Sequence, residues 1–255
     1  MNPINQNVST DVEKTASRPT AGQKSQRQRP KSGWLAITGL LLLGTLPVIG
    51  GVLRLGEVSS GSAINLPWTS IVAIIAHILA MSVFCLLGAF QFSPALRGRR
   101  GWHRTAGRVL IPAGFIAALA SMWLAVFFNG PPEEFALAMV RLVFAVPMIM
   151  FLVMAVIAIT RRDFTAHGAW MTRAYAIAVS GGTQALVFAL WTIPLGEVDA
   201  FGEAQLVAAG FVINSVVAEL LIRRRSGRRK RGRSGRGALR DGRAVRTLDT
   251  PGEAA

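Results

Sequence analysis

ALAMVRLVFAVPMIMFLVMAVIAIT, residues 136–160, holds a single charged side chain, Arg141, in 25 positions. A helix rises about 1.5 Å per residue, so a run of this length covers the roughly 30 Å hydrocarbon core of a bilayer. Five further runs flank it, at residues 33–55, 66–92, 108–128, 170–195 and 201–222. None alternates with the two-residue period of a barrel strand, and backbone groups in lipid must pair within their own segment. The fold class expected is an all-α integral membrane protein, a six-transmembrane-helix bundle spanning residues 33–222. Polar, basic tails without fixed structure are expected over residues 1–32 and 223–255.

Charge sets the expected orientation. Of the 28 Lys and Arg residues, six lie in the N-terminal tail, five between spans two and three, three between spans four and five, and twelve beyond Ile222. Only Arg54 and Arg141 remain for the other side, where Glu57, Glu133, Glu134, Glu197 and Asp199 collect. Basic loops stay in the cytosol, so both termini and the second and fourth loops are expected there, in the inner membrane of a bacterium. The net charge of +15 is thus sorted by membrane side. It predicts attraction of the basic tails to anionic lipid headgroups, with no nucleic acid as partner. The N-terminal 32 residues hold no apolar segment ahead of a cleavage site, and the first span is expected to serve as an uncleaved signal anchor. Cys85 is the one cysteine, inside span two, and reads as a small buried hydrophobe.

Several spans carry helix-perturbing residues, among them Pro47, Pro112, Pro147 and the Gly181-Gly182 pair; ordinary kinks in a tightly packed bundle are expected, with a hinge at Gly181-Gly182 as the sharper alternative. Gly114 with Ala118 gives span three a small-residue face for close helix approach. Two basic segments resemble each other: Trp102-His103-Arg104-Thr105-Ala106-Gly107-Arg108 ahead of span three, and His167-Gly168-Ala169-Trp170-Met171-Thr172-Arg173 ahead of span five. Each sets a His five or six residues before an Arg, a weak sign of an internal duplication.

A wider set of residues carries a family resemblance. It comprises His77, Gly88-Ala89-Phe90-Gln91-Phe92, His103-Arg104 with Gly107-Arg108, and His167 with Trp170-Met171 and Arg173-Ala174-Tyr175. Gly182-Thr183-Gln184 and Asn214 with Ala218-Glu219 ahead of Arg223 extend it. Over roughly Ile71 to Arg225 the chain resembles a bacterial family of multi-pass membrane proteins catalogued as domain of unknown function 2306. The resemblance implies a six- or seven-helix membrane protein and assigns no activity.

Candidate functional residues follow from depth, because a polar side chain in lipid is costly and marks a site by default. His77, Gln184 and Asn214 are expected near the midplane, with Arg141 shallower and able to snorkel. A second layer is expected at the cytoplasmic face: His103, Arg104, Arg108, His167, Trp170, Arg173, Glu219 and Gln91. Arg beside helix N-termini suits an anionic ligand, lipid phosphate or a haem propionate. Two alternatives stand beside it. In one, His103 and His167 are axial ligands of haem b in an electron-transfer protein; in the other, His77, Gln184, Asn214 and Glu219 form a proton or solute path. A bundle whose polar residues only join neighbouring helices is the plainest reading. Hydrolytic chemistry finds no motif: there is no H-E-x-x-H, nucleophile elbow or phosphate-cradling Gly loop. No catalytic residue is assigned, and an enzyme is not expected.

Overall fold

The structure, a computed structural model, describes residues 34–60, 66–93, 100–127 and 132–248. The tail expected over residues 1–32 lies outside these. Among the described residues all regular structure is helical: α1 (Trp34–Ser59), α2 (Trp68–Gln91), α3 (Arg100–Phe127), a 3-10 turn (Pro132–Glu134), α4 (Phe135–Thr160), α5 (Phe164–Ala178), α6 (Ser180–Leu195) and α7 (Ala200–Leu248). With α5 and α6 counted as one interrupted span, six helical lengths are long and apolar enough to cross a membrane. The protein is an all-α, six-span membrane bundle.

Three boundaries depart furthest from the sequence expectation. Helix α3 begins at Arg100, so Trp102, His103 and Arg104 lie on its first turns. Charge alone does not end a helix; it only sets where the helix leaves the hydrocarbon. Helix α5 begins at Phe164 because the Asp163 carboxylate caps it, accepting from the Thr165 and Ala166 amides at 3.0 and 2.9 Å. His167, Trp170 and Arg173 are therefore all within a helix. The turn before it is tight, with Arg162 in the left-handed region at φ 59°, a conformation disfavoured by about 1 kcal/mol for a side chain with Cβ. Helix α7 continues as helical backbone to Leu248. Its apolar residues end at Ile222, and the extension carries twelve basic residues and five Gly through Leu248, with no apolar stripe to anchor it.

The helices are arranged around span five. In one half α2, α3, α4 and α5 form a ring in which each touches the next, leaving α3 diagonal to α5. In the other half α6 packs between α1 and α7, and α7 also touches α4 and α5. The interior holds Phe84, Leu110, Met148, Leu152 and Tyr175 with many alanines, including Ala89, Ala117, Ala155 and Ala174. Lipid tails are as apolar as any side chain, so helices associate here by close van der Waals fit. Gly114 shows the fit: a Cβ there would lie 2.8 Å from the Phe84 ring and 3.1 Å from Leu152. Large apolar side chains such as Leu35, Leu190 and Ile193 are turned outward, where lipid meets them.

Candidate functional site

The polar chemistry concentrates where span five is interrupted, at Val179. The 15 residues of α5 and 16 of α6 place the interruption midway along the span. In an unbroken helix the carbonyls of Ala176, Ile177 and Ala178 would accept from the amides of Ser180, Gly181 and Gly182. The Gly182 amide instead donates to the Val179 carbonyl at 3.2 Å, a three-residue step. Side chains attend to the three carbonyls. Asn214 Nδ2 donates to Ala176 at 3.3 Å, Ser180 Oγ to Ile177 at 2.6 Å, and Cys85 Sγ to Ala178 at 3.5 Å. Broken helices persist in lipid only where such groups are satisfied from nearby. Here the donors come from α7, α6 and α2.

Further bonds tie the collar together. Thr183 Oγ1 donates to Asn214 Oδ1 at 2.9 Å, so one Asn214 side chain bridges α5 and α6 across the interruption. Gln184 Nε2 donates to Ser180 Oγ at 3.2 Å. Gly210 lets α7 approach, since a Cβ there would lie 2.5 Å from Gln184 Cγ. On the α2 side, the Tyr175 hydroxyl donates to the Cys85 carbonyl at 2.8 Å, and its ring lies over Gly88.

Helix α1 closes the collar from the remaining side. Pro47 has no amide hydrogen, which in a helix frees the carbonyl four residues back, that of Leu43. That oxygen seats against Gly182, where an added Cβ would be 1.9 Å away. A Pro-released carbonyl thus meets the one residue type that can accept it so closely. Gly181 meets the Pro47 ring in the same way, at 3.0 Å. The expected hinge pair is a docking point for α1, and the helix breaks just before it.

The midplane layer expected from sequence divides in two. Gln184 and Asn214 meet at the collar, whereas His77 does not join them, because α2 touches neither α6 nor α7. His77 Nδ1 lies 2.8 Å from the Ala117 carbonyl on α3. A carbonyl only accepts, so Nδ1 carries the hydrogen in this contact. Arg141 is an electrostatic neighbour of His77, and its own charged neighbours are Glu203 and Glu134.

The basic-face layer is also dispersed. Arg173 is engaged, donating from Nε and Nη2 to Glu219 Oε2 at 3.2 and 2.8 Å and lying 4.6 Å over the Trp170 ring. Arg223 Nε donates to the other Glu219 oxygen at 3.2 Å. His167 Nδ1 contacts the Ala155 carbonyl of α4 at 2.9 Å, and Asp163 already occupies the N-terminus of α5. His103, Arg104 and Arg108 are exposed on α3, which does not touch α5. Gln91 ends α2 beside Phe92, whose ring packs on Tyr175. An anion site shared by all these residues is therefore not assembled.

Haem between His103 and His167 does not fit the packing. The two residues stand on the diagonal of the four-helix ring, whose interior is closed by Phe84, Leu110, Met148, Leu152 and Tyr175. A porphyrin spanning that diagonal would have to displace these side chains, and His103 points to the outside. Among the described residues no three His, Cys, Asp or Glu side chains converge to hold a metal ion.

Sequence reasoning did not find four members of the collar and its surroundings. Ser180 went unmarked, Thr183 and Tyr175 entered only through the family resemblance, and Cys85 read as a small buried hydrophobe. A signal existed for one: a Ser directly ahead of a Gly pair in mid-span supplies both a break and a donor for it. Nothing in the sequence marks the Cys85 contact.

The geometry defines a polytopic helical membrane protein with one inner span interrupted at mid-depth and clasped by its neighbours. The chain belongs to the family described as "Predicted membrane protein (DUF2306)", which matches residues 74–222, more than half of its length. That match takes in the collar residues of α2, α5, α6 and α7 and the Arg173–Glu219 pair, and leaves out the side of the collar that α1 supplies. No curated protein and no solved structure matches the chain.

Proposed function

We propose that this protein is a transporter of the bacterial inner membrane that moves a small polar solute or ion past the interruption of span five, with both termini in the cytosol. The observation that carries this reading is the break itself: the Gly182 amide steps to Val179, and the side chains of Asn214, Ser180 and Cys85 donate to the carbonyls of Ala176, Ile177 and Ala178 around it. Such bonds break and remake without unfolding a helix. The halves α5 and α6 then tilt separately, each keeping its own ladder, as hinged spans do in alternating access. The orientation rests on the distribution of Lys and Arg.

The single cysteine supplies a test that needs no substrate. Cys85 is fully buried at the collar, so a water-soluble maleimide reaches its thiol only when the collar opens. Sided membrane vesicles should show slow alkylation from both faces, accelerated several-fold in Asn214→Ala. A thiol that reacts from neither face in intact membranes refutes transport through this region.

The exposure of Arg104, Arg108 and Arg223 favours a second role for the basic face, engagement of anionic headgroups. Charge at that level attracts acidic lipid by about 1 kcal/mol per residue near the surface. In vesicles of phosphatidylglycerol the thermal midpoint should exceed that in phosphatidylcholine. The difference should shrink in the triple variant Arg104→Gln, Arg108→Gln, Arg223→Gln; an undiminished difference rejects these residues as the contact.

A further inference from the structure

We infer that the interruption of span five is a binding site for a dehydrated small alkali cation. The inference deepens the transport reading by naming the ion class that the collar holds. Neutral oxygens gather there from three elements: the Ala176 and Ile177 carbonyls, Ser180 Oγ, Thr183 Oγ1 and Asn214 Oδ1. Ser180 is only 1% exposed, and its hydroxyl donates to the Ile177 carbonyl while accepting from Gln184. No Lys, Arg, His, Asp or Glu side chain takes part in these bonds. Divalent hard cations take carboxylate ligands to balance their charge, whereas a monovalent ion is held by carbonyl and hydroxyl dipoles alone. The C-terminal pole of α5 and the N-terminal pole of α6 meet at this point and offset each other, so the named oxygens themselves supply the attraction.

One hydroxyl is placed to switch. Thr45, Ser82, Thr172, Thr192 and Ser215 each donate to the carbonyl four residues back in their own helix. Thr183 departs from this habit and reaches across to Asn214. Its own carbonyl four residues back is that of Val179, at the break. If the Thr183 hydroxyl turned to Val179, its lone pairs and Asn214 Oδ1 would both be released toward a shared ion. Asn214 Nδ2 would keep its bond to Ala176. The ion then replaces one interhelical hydrogen bond and leaves no polar hydrogen stranded.

The test is equilibrium binding of radiolabelled Na+ to the purified full-length chain in detergent, with choline as the ionic-strength control. The expected result is saturable binding, at least tenfold weaker in Thr183→Val and in Ser180→Ala, retained in Thr183→Ser and unchanged in Arg173→Lys. Absence of saturable binding, or binding undiminished in both Thr183→Val and Ser180→Ala, overturns the site; if Thr183→Val fails to purify folded, Ser180→Ala decides alone. Cys85 alkylation from both faces without Na+ binding removes the cation site and leaves the transport reading. Na+ binding with Cys85 sealed does the reverse.

Discussion

At the scale of single residues, the contact between Gly182 and the Leu43 carbonyl makes the sharpest demand on the sequence. A methyl group placed 1.9 Å from a backbone oxygen cannot be relieved by rotating a side chain, so α1 would have to shift. Gly182→Ala is expected to destabilise the protein by about 2 kcal/mol or more, read as a lowered midpoint in detergent-solubilised thermal unfolding. Gly39→Ala is the matched comparison in the same bundle, because nothing lies within 4 Å of its added Cβ. There the better helix propensity of Ala should leave stability equal or higher. Equal losses in the two variants would show that the Leu43 contact makes no special demand at Gly182. The sequence announced Gly181-Gly182 as a weak point and Pro47 as a kink. That the two features meet was not legible, since it depends on how α1 is rotated and at what height it crosses α6.

Among helices, α7 joins the two halves of span five. It bridges the break through Asn214 and grips α5 through Glu219, whose carboxylate takes Arg173 on one oxygen and Arg223 on the other. Arg173 is partly buried, lies over Trp170 and reaches Glu219 through both Nε and Nη2, so the bond has direction as well as charge. Arg173→Glu and Glu219→Arg should each lower the thermal midpoint, and the exchanged double variant should recover part of the loss. A coupling energy of roughly 0.5–3 kcal/mol is expected from such a cycle; a purely additive result would mean the pair does not join these helices. The extent of each span could be read from hydropathy to within a few residues at most ends. The exceptions have local causes: the Asp163 cap brought the start of α5 forward by about two turns, and the basic start of α3 is helical although it lies outside the apolar run. Pairings between side chains of different helices were beyond reach, so the two expected polar layers came apart into a collar, an isolated His77 contact and an ion-paired Arg173.

For the molecule as a whole, the count of six crossings fixes that the loops at Pro131 and Leu195 share one side of the membrane and the ends of the bundle the other. Reporter fusions should give an extracytoplasmic signal at Pro131 and Leu195 and a cytosolic one after Gly227. A cytosolic signal at Pro131 would invert the proposed orientation. Fold class was the most legible property because lipid tolerates few backbone solutions, while the site depends on neutral polar residues that hydropathy scarcely registers. The continuity of α7 has a mechanical consequence. A rod unbroken from the Glu203 end to beyond Arg223, lying along a span that is cut in two, is a rail. Any parting of α5 from α6 becomes a slide against it, so motion at the membrane's centre and motion at its basic surface are geared together and cannot be set independently.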